Sequence, residues 1–453
     1  MAAVETIVAI STPLGEGGVG LVRLSGPCAF AIGQEVFSSK TPLGHRLRYV
    51  EYGTILDDRR EPLDHGLAWA FQGPRSYTGE DTVEISCHGS TLVLESLVQA
   101  AITKGARLAE PGEFTRRAFL NGRLDLLQSE AVIDLIQAGS KVGMHNAYGQ
   151  ASGNLSTLVQ KLKAHIITAL ALIEVGLDFS EEDIRTIGHP EVSQEFDQSI
   201  SLTRRLVDTF EGTRRRQNGF QIALIGSPNA GKSTLLNSLL GEDRAIVTAV
   251  PGTTRDTVEG RTVWEGESVR LIDTAGLRQS SDPIEEQGIE RSLTTSRGAD
   301  LVVFVLDHSK AWSEEEDFLF SKSNVQPDII VFNKVDLPEL MRVPPSLVGD
   351  CPIIQVSALK GKGLEQLPPL AMDLVSRPNL VDGVGLTRAR HHEALQSVLQ
   401  HLENSRDMLL ANDHEECIAA ELHGALFVLG ELLGETVSDD VLDRIFSQFC
   451  IGK

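Results

Sequence analysis

The pattern of hydrophobic and polar positions divides the chain into stretches of different character. Residues 4–118 are mixed, with short apolar runs that Pro and Gly interrupt often. Three of these runs predict β-strands, namely Thr6–Ile10, Gly20–Leu24 and Val83–Cys87. In the last run every second residue is apolar, which predicts one buried face. This part of the chain therefore predicts a mixed domain that contains a sheet.

From about Leu124 the pattern becomes helical. Apolar residues recur at spacings of three and four over residues 155–177, which predicts one long amphipathic helix. Helical patterning continues to about Arg216 and breaks at Asn218-Gly219. After Pro378 it returns in three stretches, which are Ala389–Leu410, Cys417–Leu433 and Val441–Phe449.

Between the two helical parts, apolar runs alternate with helices. Five short runs predict strands, each followed by a loop: Gln221–Ile225, Val269–Ile272, Leu301–Leu306, Asp328–Phe332 and Ile353–Val356. Such alternation is typical of a parallel sheet wound with helices. The economical interpretation is one helical bundle interrupted by an α/β domain, although periodicity alone also allows a separate helical domain on each side.

The predicted fold class is therefore a multidomain α/β protein with three parts. An α+β domain occupies residues 1–118. An all-α bundle is formed by residues 119–217 and 378–453. The α/β domain at residues 218–377 is inserted between the two halves of the bundle.

Charge limits the classes of partner. The 453 residues include 41 Lys and Arg against 63 Asp and Glu, so the formal net charge is −22. A general cationic nucleic-acid binder is not expected on that balance. An RNA would have to meet a local basic patch or a basic partner protein. Arg204-Arg205 and Arg214-Arg215-Arg216 are the best candidates for such a patch, and a solvated helix face explains them equally well.

Compartment and membrane association can also be addressed. No apolar run approaches the roughly 18 residues that a membrane span needs. The first residues contain no basic leader followed by an apolar core, so no secretory signal is expected. The five cysteines lie far apart without a Cys-x-x-Cys pair, which argues against disulfides and structural zinc. We therefore expect a cytoplasmic protein with no membrane segment.

A phosphate-binding loop is predicted between an apolar strand and a helix, where the sequence matches G-x-x-x-x-G-K-[ST] from Gly226 to Ser233. Glycines let successive backbone N–H groups turn toward a phosphate, Lys232 adds a charge for the β- and γ-phosphates, and Ser233 can bind Mg²⁺. A chance glycine-rich turn is the alternative. The expected nucleotide contacts in this loop are Asn229, Ala230, Gly231, Lys232, Ser233 and Thr234.

Three later segments remove that alternative. Asp273 ends a predicted strand and offers a carboxylate near the magnesium. The Asp336 carboxylate can accept two hydrogen bonds from guanine that adenine cannot supply. Ser357-Ala-Leu359 follows another predicted strand and can hold the base through a backbone N–H. The order of these segments resembles the GTPase superfamily over residues 221–377, so the expected nucleotide is GTP. The further expected contacts are Asp273, Thr274, Ala275, Gly276, Asn333, Lys334, Asp336, Ser357, Ala358 and Leu359.

The loop between the phosphate loop and Asp273 carries Gly252-Thr-Thr-Arg-Asp256. By the superfamily pattern Thr254 is the second magnesium ligand besides Ser233. Many GTPases place a Gln after Asp-x-x-Gly to orient water, but here that position is Leu277. The expected nucleotide contacts in this loop are Thr248, Ala249, Val250, Pro251, Gly252, Thr253 and Thr254.

Asn229 together with this loop resembles the potassium-activated GTPases. That resemblance implies a K⁺ ion held by Asn229 and by carbonyls of Thr248, Val250 and Thr253. It also implies that Glu285 acts on the attacking water through another water. From the residues alone, Glu285 is better explained as part of a solvated acidic loop.

The flanks carry a more specific resemblance. Gly15, Gly17 and Gly20 form a G-x-G-x-x-G, but a strand follows them, so we reject a dinucleotide site. The segments at 12–26, 76–84, 111–126 and 446–453 resemble the tRNA-modification GTPases of the MnmE (TrmE) family essentially from end to end.

This resemblance implies that the domain at 1–118 binds 5-formyl-tetrahydrofolate and forms a homodimer. Arg23, Glu84, Arg123 and Lys453 match the folate contacts, and Arg123 stands where the family often has Lys. Without the resemblance each would be an ordinary surface charge. It also implies that Cys450 takes part in the modification chemistry, whereas a lone cysteine at a helix end is by default a buried structural thiol.

The implied function is GTP hydrolysis with K⁺ and Mg²⁺, coupled to modification of C5 of the wobble uridine of tRNA. The implied partner is the flavoprotein MnmG (GidA), in a heterotetramer. A regulatory GTPase of ribosome assembly is the main alternative, but such proteins carry basic RNA-binding domains, and these flanks are acidic. A GTP-regulated folate-dependent transferase is a third possibility.

Overall fold

The computed structural model describes residues 5–178, 189–241, 258–273, 299–313, 316–317, 326–344, 351–375 and 380–453. The chain divides into two compact units. One contains Met1–Ile133, Gln150–Ile200 and Ser397–Lys453, and the other contains Asp134–Gly149 and Ser201–Gln396. Within the described residues, no helix is long and apolar enough to cross a membrane.

The first unit is built on a seven-stranded sheet with strand order β3-β4-β5-β6-β2-β1-β7. Its strands are β1 Ile7–Ile10, β2 Gly17–Ser25, β3 Phe37–Ser39, β4 Glu51–Leu56, β5 Pro62–Phe71, β6 Thr82–Gly89 and β7 Arg107–Leu108. Helices α1 Ala29–Val36 and α2 Thr91–Thr103 pack on this sheet, and α3 Glu113–Leu120 follows it.

Two sequence predictions about this sheet are confirmed. The alternate residues Val83, Ile85 and Cys87 of β6 are buried in the core. The formal G-x-G-x-x-G runs into β2 and not into a helix, as expected. Strands β4 and β5 form a hairpin that the sequence pattern did not predict.

The helices before and after the α/β domain are α4 Leu126–Gln137, α5 Lys141–Ala151, α6 Asn154–Asp178, α7 His189–Asp208 and α8 Phe210–Asn218, then α11 Ala389–Leu410, α12 Glu415–Leu433 and α13 Asp439–Phe446. In the first unit, α6 packs along α12. In the second unit, Arg388 bonds Asp134 at 2.7 Å and the Phe210 ring stacks on His392. In each unit, therefore, residues from before and after the α/β domain are in contact.

The α/β domain contains a six-stranded sheet with strand order β13-β12-β11-β8-β10-β9. Its elements are β8 Phe220–Ile225, α9 Lys232–Leu240, β9 Val258–Trp264, β10 Glu267–Asp273, β11 Leu301–Asp307, β12 Ile329–Asn333, β13 Ile353–Gln355 and α10 Leu367–Leu374. Every residue of β11 is buried, because the strand lies inside the sheet with both faces covered.

The sequence predicted a parallel sheet, and one edge strand shows that this prediction was incomplete. Strand β9 pairs antiparallel with β10, so the sheet is mixed and not wholly parallel. The two strands are joined by a two-residue turn in which Glu265 has φ 51° and Gly266 has φ 87°. Positive φ at both positions suits a tight hairpin whose twist matches the strands.

Candidate functional site

The loop between β8 and α9 has the form of a phosphate cradle. Lys232 is 5% exposed, and its Nζ donates hydrogen bonds of 2.8 Å to the carbonyls of Gly226 and Ser227. The loop therefore folds around the ammonium group, at the N-terminus of α9, where a helix favours an anion.

Two glycines are required by close packing in this loop. A Cβ on Gly226 would lie 2.1 Å from the carbonyl oxygen of Val305, and one on Gly231 would lie 2.2 Å from Nδ2 of Asn333. Gly231 also has φ 93°, in the region that side chains avoid. Packing against the ends of neighbouring strands thus requires glycine at both positions of the G-x-x-x-x-G motif.

A hydroxyl and a carboxylate meet beside the cradle. Ser233 Oγ donates a hydrogen bond of 2.5 Å to Oδ2 of Asp273, which ends β10 and is 0% exposed. Hard oxygen ligands of this kind are those that Mg²⁺ prefers. The residues present therefore fit the expected ion, and the assignment of Ser233 as its direct ligand stays a prediction.

Asn333 connects the cradle to the loop after β13. Its Nδ2 donates to the carbonyl of Ala230 at 2.9 Å, and its Oδ1 accepts from the backbone N–H of Ala358 at 3.0 Å. The same oxygen accepts from the backbone N–H of Lys334 at 2.8 Å. One buried amide thus holds three of the predicted nucleotide segments together.

Asp307 at the end of β11 was missed by the sequence analysis. Lys334 Nζ donates to Asp307 Oδ2 and to the carbonyl of Asn229, both at 2.7 Å. Burial alone would raise the pKa of Asp307, but hydrogen bonds from Lys334 and Ser309 outweigh it and lower the pKa. Its position after a buried strand beside β8 is the sequence signal that could have identified it.

Asp336 is set up to remain ionised. The hydroxyl of Ser357 donates to Oδ1 at 2.7 Å, and Nζ of Lys360 lies 3.5 Å from Oδ2. The hydrogen bond from Ser357, aided by Lys360, holds the pKa of Asp336 below its ordinary value. Next to these residues Leu359 is 81% exposed.

Several expected site residues lie outside the described part of the chain. These are Thr248, Ala249, Val250, Pro251, Gly252, Thr253, Thr254, Thr274, Ala275, Gly276 and Glu285. Their assignments stay predictions.

A second cluster of functional side chains lies in the first unit. Arg23 Nε donates to Oε1 of Glu84 at 2.7 Å, and Trp69 Nε1 donates to Oε2 of Glu84 at 2.8 Å. The Arg23 guanidinium lies 5.5 Å from the ring centroid of Tyr77 and 5.6 Å from that of Phe114. The pairing of β6 with β2 and with β5 places Arg23 and Trp69 on either side of Glu84.

Glu84 and Arg123 line one cavity of about 420 Å³. Tyr77 also lines it, and burial raises the pKa of Tyr77. The volume lies in the range of small-ligand pockets. The structure therefore brings two of the four expected folate contacts to one cavity, with Arg23 paired to one of them.

The last residues reach the same cluster. Ser11 Oγ donates to the carbonyl of Gly452 at 3.2 Å. Burial, followed by the charge of Arg23, lowers the pKa of Lys453, while Glu84 acts in the opposite direction. Cys450 is exposed, so the interpretation of Cys450 as a buried structural thiol is wrong. A lone cysteine is most often buried, but the chain end that carries Cys450 lies at the surface, next to Ser11.

The basic runs are at least partly at the surface. Arg204 and Arg205 of α7 are exposed, and Arg214 is exposed with its guanidinium 5.6 Å from the ring of Phe210. The exposed positions suit either a solvated face or a patch for RNA.

Comparison with known proteins identifies the family. The family model described as the GTP-binding protein TrmE N-terminus matches residues 6–123, and the MnmE helical domain matches residues 126–450. The chain is 41% identical over 453 residues to the tRNA modification GTPase MnmE of Geotalea uraniireducens, covering 99% of both chains. It belongs to the MnmE family.

A second relative with the same name is similar over the same length. Identity to the tRNA modification GTPase MnmE of Aquifex aeolicus is 41% over 451 residues, which covers 99% of this chain and 100% of that one. Among solved structures, the G domain of the T. maritima FeoB iron transporter aligns at 28% identity over 34% of this chain and 97% of its own, with a TM-score of 0.26. A score at this level adds nothing to the assignment.

Membership of the MnmE family makes the chain a GTP hydrolase of tRNA modification. The fold class is confirmed, with a TrmE-type N-terminal domain, a helical domain and an α/β domain that carries the phosphate loop. The alternative of a ribosome-assembly switch is set aside, because such a protein would not share these flanks.

Proposed function

We propose that this chain is a potassium-activated GTP hydrolase that modifies C5 of the wobble uridine of certain tRNAs to an aminomethyl or carboxymethylaminomethyl form. It works as a cytoplasmic homodimer with the flavoprotein MnmG (GidA), and tetrahydrofolate supplies the one-carbon unit. The observation that carries the proposal is the match over 99% of the chain to proteins named tRNA modification GTPase MnmE. The boundaries 1–118, 119–217, 218–377 and 378–453 are part of the same proposal.

The phosphate loop supports the GTPase step. Bound β- and γ-phosphates would replace the two carbonyls that Lys232 now contacts, so the ammonium group exchanges backbone partners for phosphate oxygens. Ser233 would hold Mg²⁺, with Asp273 next to it as the compensating anion. The bound Mg²⁺ neutralises charge that develops on the phosphates.

The base-binding side supports guanine. Asp336 is a carboxylate whose pKa is lowered further by the hydrogen bond from Ser357, so both of its oxygens can accept from the two N–H groups of guanine. Adenine offers no such pair of donors at that edge, and its amino group would leave one oxygen without a partner. GTP is therefore preferred over ATP.

The folate site is supported by the cluster around Glu84. A carboxylate between two donors can still accept from a pterin ring through its remaining lone pairs. Arg123 on the cavity wall and Lys453 near Arg23 offer positive charge to polar or anionic parts of the ligand. The exposed thiol of Cys450 then lies on the same tail as Lys453.

The potassium role is tested by the GTPase rate in K⁺ and Na⁺ at matched ionic strength. Asn229 has φ 64° and its carbonyl accepts a hydrogen bond from Lys334, so the backbone is held in place at this residue. We expect faster hydrolysis in K⁺, and we expect Asn229→Ala to lose the difference. Equal rates of the unmodified protein in the two salts would refute the potassium role.

The tRNA role is tested by mass analysis of nucleosides in bulk tRNA from cells without this chain. We expect loss of the C5-aminomethyl-type uridines. Cells carrying Cys450→Ser should show the same loss with GTP hydrolysis intact, whereas Cys417→Ser, an exposed cysteine on α12, should not. Unchanged nucleosides in the deletion strain would overturn the proposed function.

A further inference from the structure

The cavity beside Glu84 carries an unbalanced positive charge. Three arginines are among its lining residues, Arg48, Arg75 and Arg123, and Glu84 is its one acidic lining residue. Glu84 is already paired with Arg23. Within the part of the chain that the structure describes, none of the three arginines has a carboxylate at ion-pair distance. In a chain with a net charge of −22, this concentration of unpaired arginines points to an anionic ligand.

Hydrogen bonds to backbone carbonyls hold Arg48 next to Arg75. Arg48 has φ 63°, a left-handed conformation that is costly for a residue with a side chain. Its N–H donates to the carbonyl of Ala70 at 2.9 Å, and its Nη2 donates to the carbonyl of Arg75 at 3.3 Å. The strained residue is thus tied both to β5 and to the loop that carries Arg75. The guanidinium of Arg48 is held at the cavity wall through these contacts.

The chemistry of the arrangement fits a ligand with several carboxylates. Guanidinium groups bind carboxylates in a planar, two-pronged geometry. A folate ends in a glutamate with two carboxylates, and every γ-linked glutamate added to it contributes one more. Arg48 and Arg75 are not among the folate contacts that the family resemblance implies, which are Arg23, Glu84, Arg123 and Lys453.

We propose that Arg48 and Arg75 bind carboxylates of the folate tail, so that the working cofactor is a polyglutamylated folate. This inference rests on the proposed folate site. The ring end of the ligand contacts Glu84, and the glutamate tail leaves along the arginine-lined wall. The tail then provides affinity and orientation, while the contacts to the ring place the one-carbon unit.

The test is a titration of the full-length protein with 5-formyl-tetrahydrofolate that carries either one or three glutamates. We expect tighter binding of the triglutamate form. Arg48→Gln and Arg75→Gln should each weaken that binding about three- to fivefold, which is the range for exposed ion pairs. The double variant should lose the preference for the longer tail. Arg59→Gln, an exposed arginine in the same domain but not in the cavity lining, is the matched control.

The possible outcomes separate the inference from the proposed function. Equal affinity for both tails, unchanged in the variants, would overturn the role of Arg48 and Arg75 and leave the folate site intact. An unmodified protein that binds neither form would overturn the folate site itself. If the variants keep their folate affinities but bind tRNA more weakly in a mobility-shift assay, the arginines contact RNA phosphates and the inference is wrong.

Discussion

Replacing Gly452 with Ala should release the tail that carries Lys453. Gly452 has φ 94°, and a Cβ there would lie 2.1 Å from the carbonyl oxygen of Ile10 and 3.0 Å from Cα of Ser11. Both atoms belong to the backbone at the end of β1, so neither can move aside alone. The left-handed conformation by itself costs an L-residue about 1–2 kcal/mol. Since 1.4 kcal/mol is a factor of ten, tail docking should weaken by at least about fivefold.

The measurement is a titration of 5-formyl-tetrahydrofolate into Gly452→Ala, together with its GTPase rate. We expect weaker folate binding and unchanged hydrolysis, because the phosphate loop belongs to the other compact unit. Gly105→Ala is the control, since Gly105 also has a positive φ, 103°, but a Cβ there would meet nothing within 4 Å. If Gly452→Ala binds folate as tightly as Gly105→Ala does, the tail does not position Lys453.

Three further predictions concern single contacts. Trp69→Phe removes the donor to Oε2 of Glu84, so folate affinity should fall about tenfold with the melting temperature nearly unchanged; equal affinity would show that this hydrogen bond does not orient the carboxylate. Gly226→Ala should abolish GTP hydrolysis but leave folate binding intact, because its Cβ would overlap a strand carbonyl at 2.1 Å; a normal rate would contradict the packing argument. Asp307 has a lowered pKa in the folded state, so its ion pair with Lys334 stabilises above the ordinary value of 3.8 and is lost as the pH falls through the lower folded value. Melting temperatures measured across that range should fall more steeply for the unmodified protein than for Asp307→Asn, and parallel curves would refute the linkage.

Much of the fold could be predicted from periodicity. The prediction of a helix over 155–177 corresponds to α6 at Asn154–Asp178, and that over Ala389–Leu410 is α11. These are long amphipathic elements in which many residues repeat the same signal. The hairpin of β4 and β5 was not predicted, because the buried face of β5 consists of the small residues Gly66, Ala68 and Ala70 and therefore gives a weak alternating signal.

The two sites differ in how far sequence could predict them. The phosphate loop is a local motif between a strand and a helix, so spacing alone located Lys232 and Ser233. The cluster of Arg23, Trp69 and Glu84 draws on three strands, with Arg23 and Glu84 61 positions apart, and Trp69 has no pattern that marks it. Family resemblance identified two of these residues, and only the pairing of the strands revealed the third.

The long helices, the buried strands of the α/β domain, the glycine spacing of the phosphate loop and the acidic character of the chain all follow from local sequence. Which groups meet depends on the folded chain. The contact between Ser11 and Gly452 joins residues 441 positions apart, and Lys334 reaches Asp307 only because β11 and β12 are neighbours. Such contacts follow from burial and strand pairing across the whole chain, which no short stretch of sequence contains.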